Sequence, residues 1–276
     1  MATQIAAETP SLDLTQPLPN ELRPNMDHIV TEDDTPVDNI FSEKQQRLLA
    51  EPLYSSWRGR GDGEPFVALA NVGLFYGINT PPVVPDMLLS CGVDVPEDVW
   101  RKPNRSYFVW EYARAPHVTI EIVSNQEGGE DTDKFNIYAQ AAVSYYVIFD
   151  PQRLLSDDVL RGFELLAGVY QRLRTPLWFP HVELGLDLWR GRFENREDTW
   201  LRWVSAARAV IPTGAERALE EARRADEEHH RADDEQKRAD QEQKRADQER
   251  NRADEEHDRA EKLAAQLRKL GIDPEG

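Results

Sequence analysis

Residues 119–151 read TIEIVSNQEGGEDTDKFNIYAQAAVSYYVIFDP. With its two preceding residues, the run HVTIEIVS at 117–124 is apolar at successive positions except for Glu121, the pattern of a strand covered on both faces. A carboxylate in such a strand is costly unless it is paired or binds a metal. NQEGGEDTDK is polar and carries glycines, which predicts a loop. DKFNIYAQAAV then places Phe135, Tyr138 and Ala142, and Ile137 with Ala141, at helical spacing, with Lys134 at the start. SYYVIFDP is a second apolar strand. Strand, loop, helix and strand make a βαβ unit, for which a right-handed crossover is the default.

Working upstream, VVPDMLL at 83–89 reads as a short apolar strand carrying Asp86, and PFVALANVGLFYG alternates as one half-buried strand. SEKQQRLLAEPLYSSW has Ser42 as helix N-cap and Leu48, Leu49 and Leu53 on one face, with a break at Pro52. GRGDGE at 59–64 is a turn, PEDVWRKPNRSY a surface loop, and SYFVWEYA at 106–113 has strand composition. Downstream, VLRGFELL, GVYQRLR and ELGLDLWRGRF form a run of short strands. WLRWVSAARAVIPTGAE finishes the packing. The expected fold is α/β, a mixed sheet flanked by helices rather than a doubly wound nucleotide-binding sheet.

Three segments follow from composition. Residues 1–40 are rich in Pro, Thr, Asp and Glu and read as a disordered or extended acidic arm. Residues 41–212 hold all seven Trp and can bury a core. Residues 213–276 repeat with a seven-residue period, Arg-Ala at 217, 224, 231, 238, 245, 252 and 259. Such a period signals a coiled coil, but its seam here is Ala and Glu, which also suits a single charged helix roughly 80 Å long. Acid-first pairs such as Glu227–Arg231, Asp234–Arg238, Asp240–Lys244 and Glu255–Arg259 favour that helix, and Leu263, Leu267 and Leu270 are its one apolar patch.

The formal net charge of −18 argues against a protein that coats nucleic acid by bulk attraction, though it leaves room for a local site using a metal and a few basic side chains. Cys91 is the single cysteine, so no intrachain disulfide or Cys-based zinc site forms; a buried structural thiol in a reducing compartment is the reading. The start of the chain has neither a basic leader nor an apolar core segment, and no run is apolar enough to span a bilayer, so a soluble cytoplasmic protein is expected.

Asp86, Glu121 and Lys134 are the chemistry-bearing set. Two acids on neighbouring strands supply oxygen ligands for a hard cation, and a cationic amine orients or polarises an attacking water. Spacing alone does not decide. Asp86 also fits a turn after a proline, Glu121 a pairing with a buried Arg, and Lys134 a solvated helix residue. Of the six His, His181, His229, His230 and His257 form no metal constellation, and His117 and His28 have no evident partner. No phosphate loop, Ser–His–Asp order or nucleotide fingerprint occurs; GRGDGE lacks the following helix and lysine. The four Trp at 178, 189, 200 and 203 lie among strand residues and suit core packing.

VVPDM, VTIEIVS, DKFNIYAQAAVSYYVIFDP and LGLDLWRGRFENREDTWLRW, taken in order, resemble the Uma-type family of restriction endonucleases, a branch of the PD-(D/E)XK nuclease superfamily. The likeness runs from about Phe41 to Gly214, and the C-terminal helix ending in LRKLGIDP looks like an appendage of that family. The resemblance implies a restriction-endonuclease-like core with Asp86 and Glu121 as catalytic acids and metal ligands, and Lys134 as a catalytic lysine moved from strand to helix. The usual strand position for that lysine is Val123. It further implies Mg²⁺, with Mn²⁺ as a substitute, DNA as substrate, and an assisting helix glutamate, Glu43 or Glu51. A homodimer suits an enzyme that cuts two strands. The rival expectation is an inactive nuclease fold that acts as an assembly module, binding a protein partner through 213–276.

Overall fold

The computed structural model describes residues 39–77, 80–100, 104–125, 129–130 and 132–269. Residues 1–38 of the expected arm, Gln126 and Leu270 lie outside them, whereas Asn39 and Ile40 are described and open the first helix. The chain forms two units, one of residues 39–50 and 58–210, the other of 51–57 and 211–269.

The first unit is mixed α/β. Its main sheet has six strands in the order β1 (Phe66–Ala70), β3 (Met87–Cys91), β5 (Val118–Ile122), β6 (Tyr145–Phe149), β7 (Leu160–Leu166) and β8 (Val169–Arg172). Only β5 and β6 run parallel, joined through α3 (Asp133–Gln140); the other neighbours are antiparallel. A two-residue parallel pair, β2 (Leu74–Phe75) with β4 (Tyr107–Phe108), stands beside it. Helix α2 (Val109–Tyr112) follows β4 directly. A second, antiparallel sheet orders β11 (Arg196–Val204), β10 (Leu184–Phe193) and β9 (Leu177–Phe179).

Every residue of β3, β5 and β6 is buried, so the sheet is covered on both faces. Side chains alternate across a strand, which sends Tyr146 and Ile148 to one face and Tyr145 and Phe149 to the other. Tyr146 and Ile148 pack with Val123 and with Tyr138 and Ala141 at α3. On the opposite face Phe149 meets Phe41 of α1 (Ile40–Ser56), which stacks on Trp200 at 5.0 Å, while Tyr145 meets Phe179 at 4.9 Å. Gln45 on α1 exchanges two hydrogen bonds with the backbone of Leu201, 2.8 and 2.9 Å, and Trp203 Nε1 donates to the Leu49 carbonyl.

Several local expectations change. Asn39, not Ser42, caps α1: its Oδ1 accepts the Ser42 N–H at 2.9 Å, and the helix continues through Pro52. PFVALANVGLFYG is two strands rather than one, because Asn71 adopts a positive φ of 53° and turns the chain. SYFVWEYA keeps only two strand residues before α2. REDTWLRWV is a nine-residue strand, and its mate β10 lines up with it from Gly185↔Val204 to Phe193↔Arg196.

In the second unit α4 (Gly214–Lys269) is a single 56-residue helix with no buried residue. Its start carries a reciprocal capping box: Thr213 Oγ1 accepts the Glu216 N–H at 3.1 Å, and Glu216 Oε2 accepts the Thr213 N–H at 2.8 Å. Leu263 is exposed. Among the described residues no helix is long and apolar enough to cross a membrane.

Candidate active site

Asp86 sits on a bend just before β3 rather than within the strand. The β3–β5 ladder closes at Met87↔Ile120, and two residues beyond it the Ile122 N–H would lack a strand partner. Asp86 Oδ2 accepts that N–H at 2.7 Å, tying the first acid to the strand that carries the second. Asp86 Oδ1 accepts Gln46 Nε2 at 2.8 Å, and Gln46 Oε1 accepts Asn71 Nδ2 at 3.1 Å. The Asn71 backbone N–H donates to the Asp86 carbonyl at 3.3 Å. A chain of amides from α1 and the β1 turn thus fixes the aspartate's orientation.

Glu121 lies mid-β5 and is 2 % exposed. Lys134 Nζ stands 3.1 Å from its Oε2, and the Tyr138 hydroxyl donates to its Oε1. Lys134 and Tyr138 are four apart on α3, so one helical face delivers both to the same carboxylate. Lys134 Nζ also contacts Glu130 Oε1 at 3.2 Å. Glu130 is itself buried, and its carbonyl accepts the Tyr146 hydroxyl at 2.7 Å.

Burial pushes the Glu121 carboxyl up to about 8; the Lys134 ammonium and the Tyr138 hydrogen bond pull the other way, while Asp86 and Glu130 add to the rise. For Lys134 burial works against the charge, but Glu121 and Glu130 more than offset it, so its pKa is raised and it stays an ammonium at neutral pH. Burial likewise holds the Tyr138 phenol far above its ordinary value. Burial thus disfavours the charged form of Glu121, and a cation beside it would favour that form.

The structure brings Asp86, Glu121 and Lys134 together. Val123, where a strand lysine would stand, is a core residue 1 % exposed. It is two positions from Glu121 and on the same face, the one that α3 covers, so a helix lysine can reach what a strand lysine would have reached. Neither alternative for the assisting helix glutamate is among these contacts: Glu43 pairs with Arg47, and Glu51 accepts the Gly214 N–H. The first helix supplies Gln46 instead. Sequence reading missed Gln46, Asn71, Glu130 and the role of Tyr138. Only Tyr138 carried a local signal, one helical turn from Lys134.

Two oxygen-bearing acids with water completing the shell suit a hard divalent cation. Among the described residues no group of three or more His, Cys, Asp or Glu is placed to hold a metal ion. His117 also has a partner, contrary to the sequence reading. Its Nδ1 accepts the Cys91 N–H at 3.2 Å, and burial, then Arg114, lowers its pKa to about 4. Cys91 is buried and its thiol is pushed up to about 12, which makes it structural.

A mixed sheet with a bend aspartate, a strand glutamate and a helix lysine converging on it belongs to the restriction-endonuclease-like class of folds. Residues 31–192 match the Uma2 family, described as "Putative restriction endonuclease", and the chain belongs to that family. A search of curated proteins finds no match.

Proposed function

We propose that the protein is a Mg²⁺-dependent endonuclease that hydrolyses DNA phosphodiester bonds, with Mn²⁺ able to substitute. The observation that carries this reading is the placement of the Lys134 ammonium 3.1 Å from a carboxylate buried in the middle of a strand, beside a second acid held on that strand's backbone. Asp86 and Glu121 would hold the ion. When bound, such an ion polarises a phosphoryl oxygen and makes water a better nucleophile at neutral pH. Burial disfavours the charged carboxylate that a ligand must be, and the Lys134 ammonium works in its favour. Lys134 orients the attacking water or balances charge that develops on the phosphate. Gln46 and Tyr138 keep one oxygen of each acid in place, which limits how far either carboxylate can rotate. A solvent-facing Lys134 would have favoured the rival assembly reading; its ammonium instead lies against two carboxylates.

The test is incubation of the full chain with plasmid and linear DNA in Mg²⁺ or Mn²⁺. The wild type is expected to nick and linearise plasmid, and Asp86→Ala to leave it intact. Wild-type protein that behaves no differently from Asp86→Ala overturns the proposal.

A further inference from the structure

We infer that Glu130 is a positioning residue for this site: its carboxylate keeps the Lys134 ammonium in place when Glu121 turns to a divalent cation. The inference rests on the nuclease reading above and names a residue that reading does not use.

An ammonium has three N–H groups to place. Lys134 aims them at Glu121 Oε2, 3.1 Å away, and Glu130 Oε1, 3.2 Å away, so the amine bridges the two acids almost evenly. Glu121 Oε1 is already taken by the Tyr138 hydroxyl. A cation that approached Oε2 would share that oxygen with Lys134. If Glu121 were the lysine's sole anchor, ligation would set the amine adrift or the amine would compete with the ion.

Glu130 removes that conflict. It is 7 % exposed, and its second oxygen, Oε2, is buried with no hydrogen-bond partner among the described residues. A buried carboxylate oxygen in that state is a ready acceptor. Lys134 can slide from bridging the two acids to engaging both oxygens of Glu130, with its charge still compensated. The loop end that carries Glu130 is fixed for the task. Its own carbonyl is fastened to Tyr146 of β6, and the Gly129 carbonyl accepts the Lys134 backbone N–H at 3.1 Å. Gly129 adopts a φ of 67°, the left-handed conformation that lets the chain turn there into α3. An exposed Glu–Lys pair at the same spacing would hold the amine only weakly.

The experiment measures Mn²⁺ binding calorimetrically on the full chain, without DNA, for wild type, Glu130→Gln, Glu130→Asp, Lys134→Met and Glu130→Gln/Lys134→Met, with Asp86→Ala as the site control. Glu130→Gln is expected to weaken Mn²⁺ binding about tenfold, the scale of losing a partner that orients a ligand. Glu130→Asp should fall between it and the wild type. In the Lys134→Met background the same Gln substitution should change the affinity by less than about twofold, because Glu130 acts through the lysine. Equal affinity for wild type and Glu130→Gln overturns the inference and leaves the nuclease reading standing. So does a tenfold loss that persists without Lys134, which is the mark of bulk charge or of damage to the fold. Absence of Mn²⁺ binding in the wild type, or binding undiminished in Asp86→Ala, overturns both readings together.

Discussion

The same residue types make acid–base pairs in two regions of this molecule, and the two regions treat them in opposite ways. Glu121 and Lys134 meet inside the first unit, with the carboxylate 2 % exposed. Glu220, on α4, is gripped by Arg223 at 2.8 Å and Arg224 at 3.0 Å, with all three side chains well exposed. Burial drives the Glu121 pKa up to about 8 in spite of its lysine. Hydrogen bonds from Arg223 and Arg224 hold that of Glu220 below its ordinary value, with next to no burial to oppose them. Taking a charge out of water outweighs a single good partner, whereas in water the partner is all that acts. One pair therefore has a strongly perturbed acid, and the other only a slightly stabilised one.

The sharpest way to break that comparison is Lys134→Met. If the buried pair serves the reaction, removing the cationic group should lower kcat for plasmid cleavage by about 10²–10³. DNA binding, followed separately by anisotropy, should change far less, since the −18 chain draws little affinity from one lysine. Cleavage at the wild-type rate would mean that Lys134 is only the counter-charge of a buried acid.

Next in size is the pH dependence of stability. Burial pushes the Glu121 carboxyl up to about 8 in the folded protein against an ordinary 4.5. Between those values the folded state holds a proton that the unfolded chain has released, so this group favours folding most at low pH, and its contribution is lost as pH rises through about 8. Glu121→Gln cannot ionise. Its stability relative to wild type should therefore improve from pH 5 to pH 9, by on the order of a few kcal/mol. Urea unfolding at the two pH values reads the difference. Parallel pH curves for the two proteins would show that the buried carboxyl titrates normally.

What could be read from the chain follows the same division between local and distant causes. Glu121 interrupts an apolar run, Lys134 and Tyr138 share a helical face, and the second strand is continuous, so β5, α3 and β6 are legible from local pattern. Gln46 is not, because it reaches Asp86 across 40 residues and nothing in QQRLL distinguishes it from its neighbours. Glu130 is one acid in an acidic loop, and only its contact with Lys134 and the anchoring of its carbonyl by Tyr146 reveal that it points inward. The aromatic run FVWEY has strand propensity, yet it leaves the strand after Phe108 for a short helix, a case of context overriding propensity. The length of β11 was hidden because its first half is charged and partly exposed.

The smallest effect is expected at Glu220→Gln on α4. Two arginines share this carboxylate, and Arg223 also contacts Glu227, so the loss of one acid leaves Arg223 a second partner one turn away. The helix start is secured independently by the Thr213–Glu216 capping box. Pairs this exposed exchange protein contacts for water at little net gain. Helix content by circular dichroism, the melting temperature and plasmid cleavage should all match the wild type within error. A clear drop in melting temperature would show that exposed pairs on α4 act as a cooperative network rather than one by one. The seven-residue repeat would then be a structural device, because only a periodic arrangement of charges lets each arginine bridge successive acids along the helix.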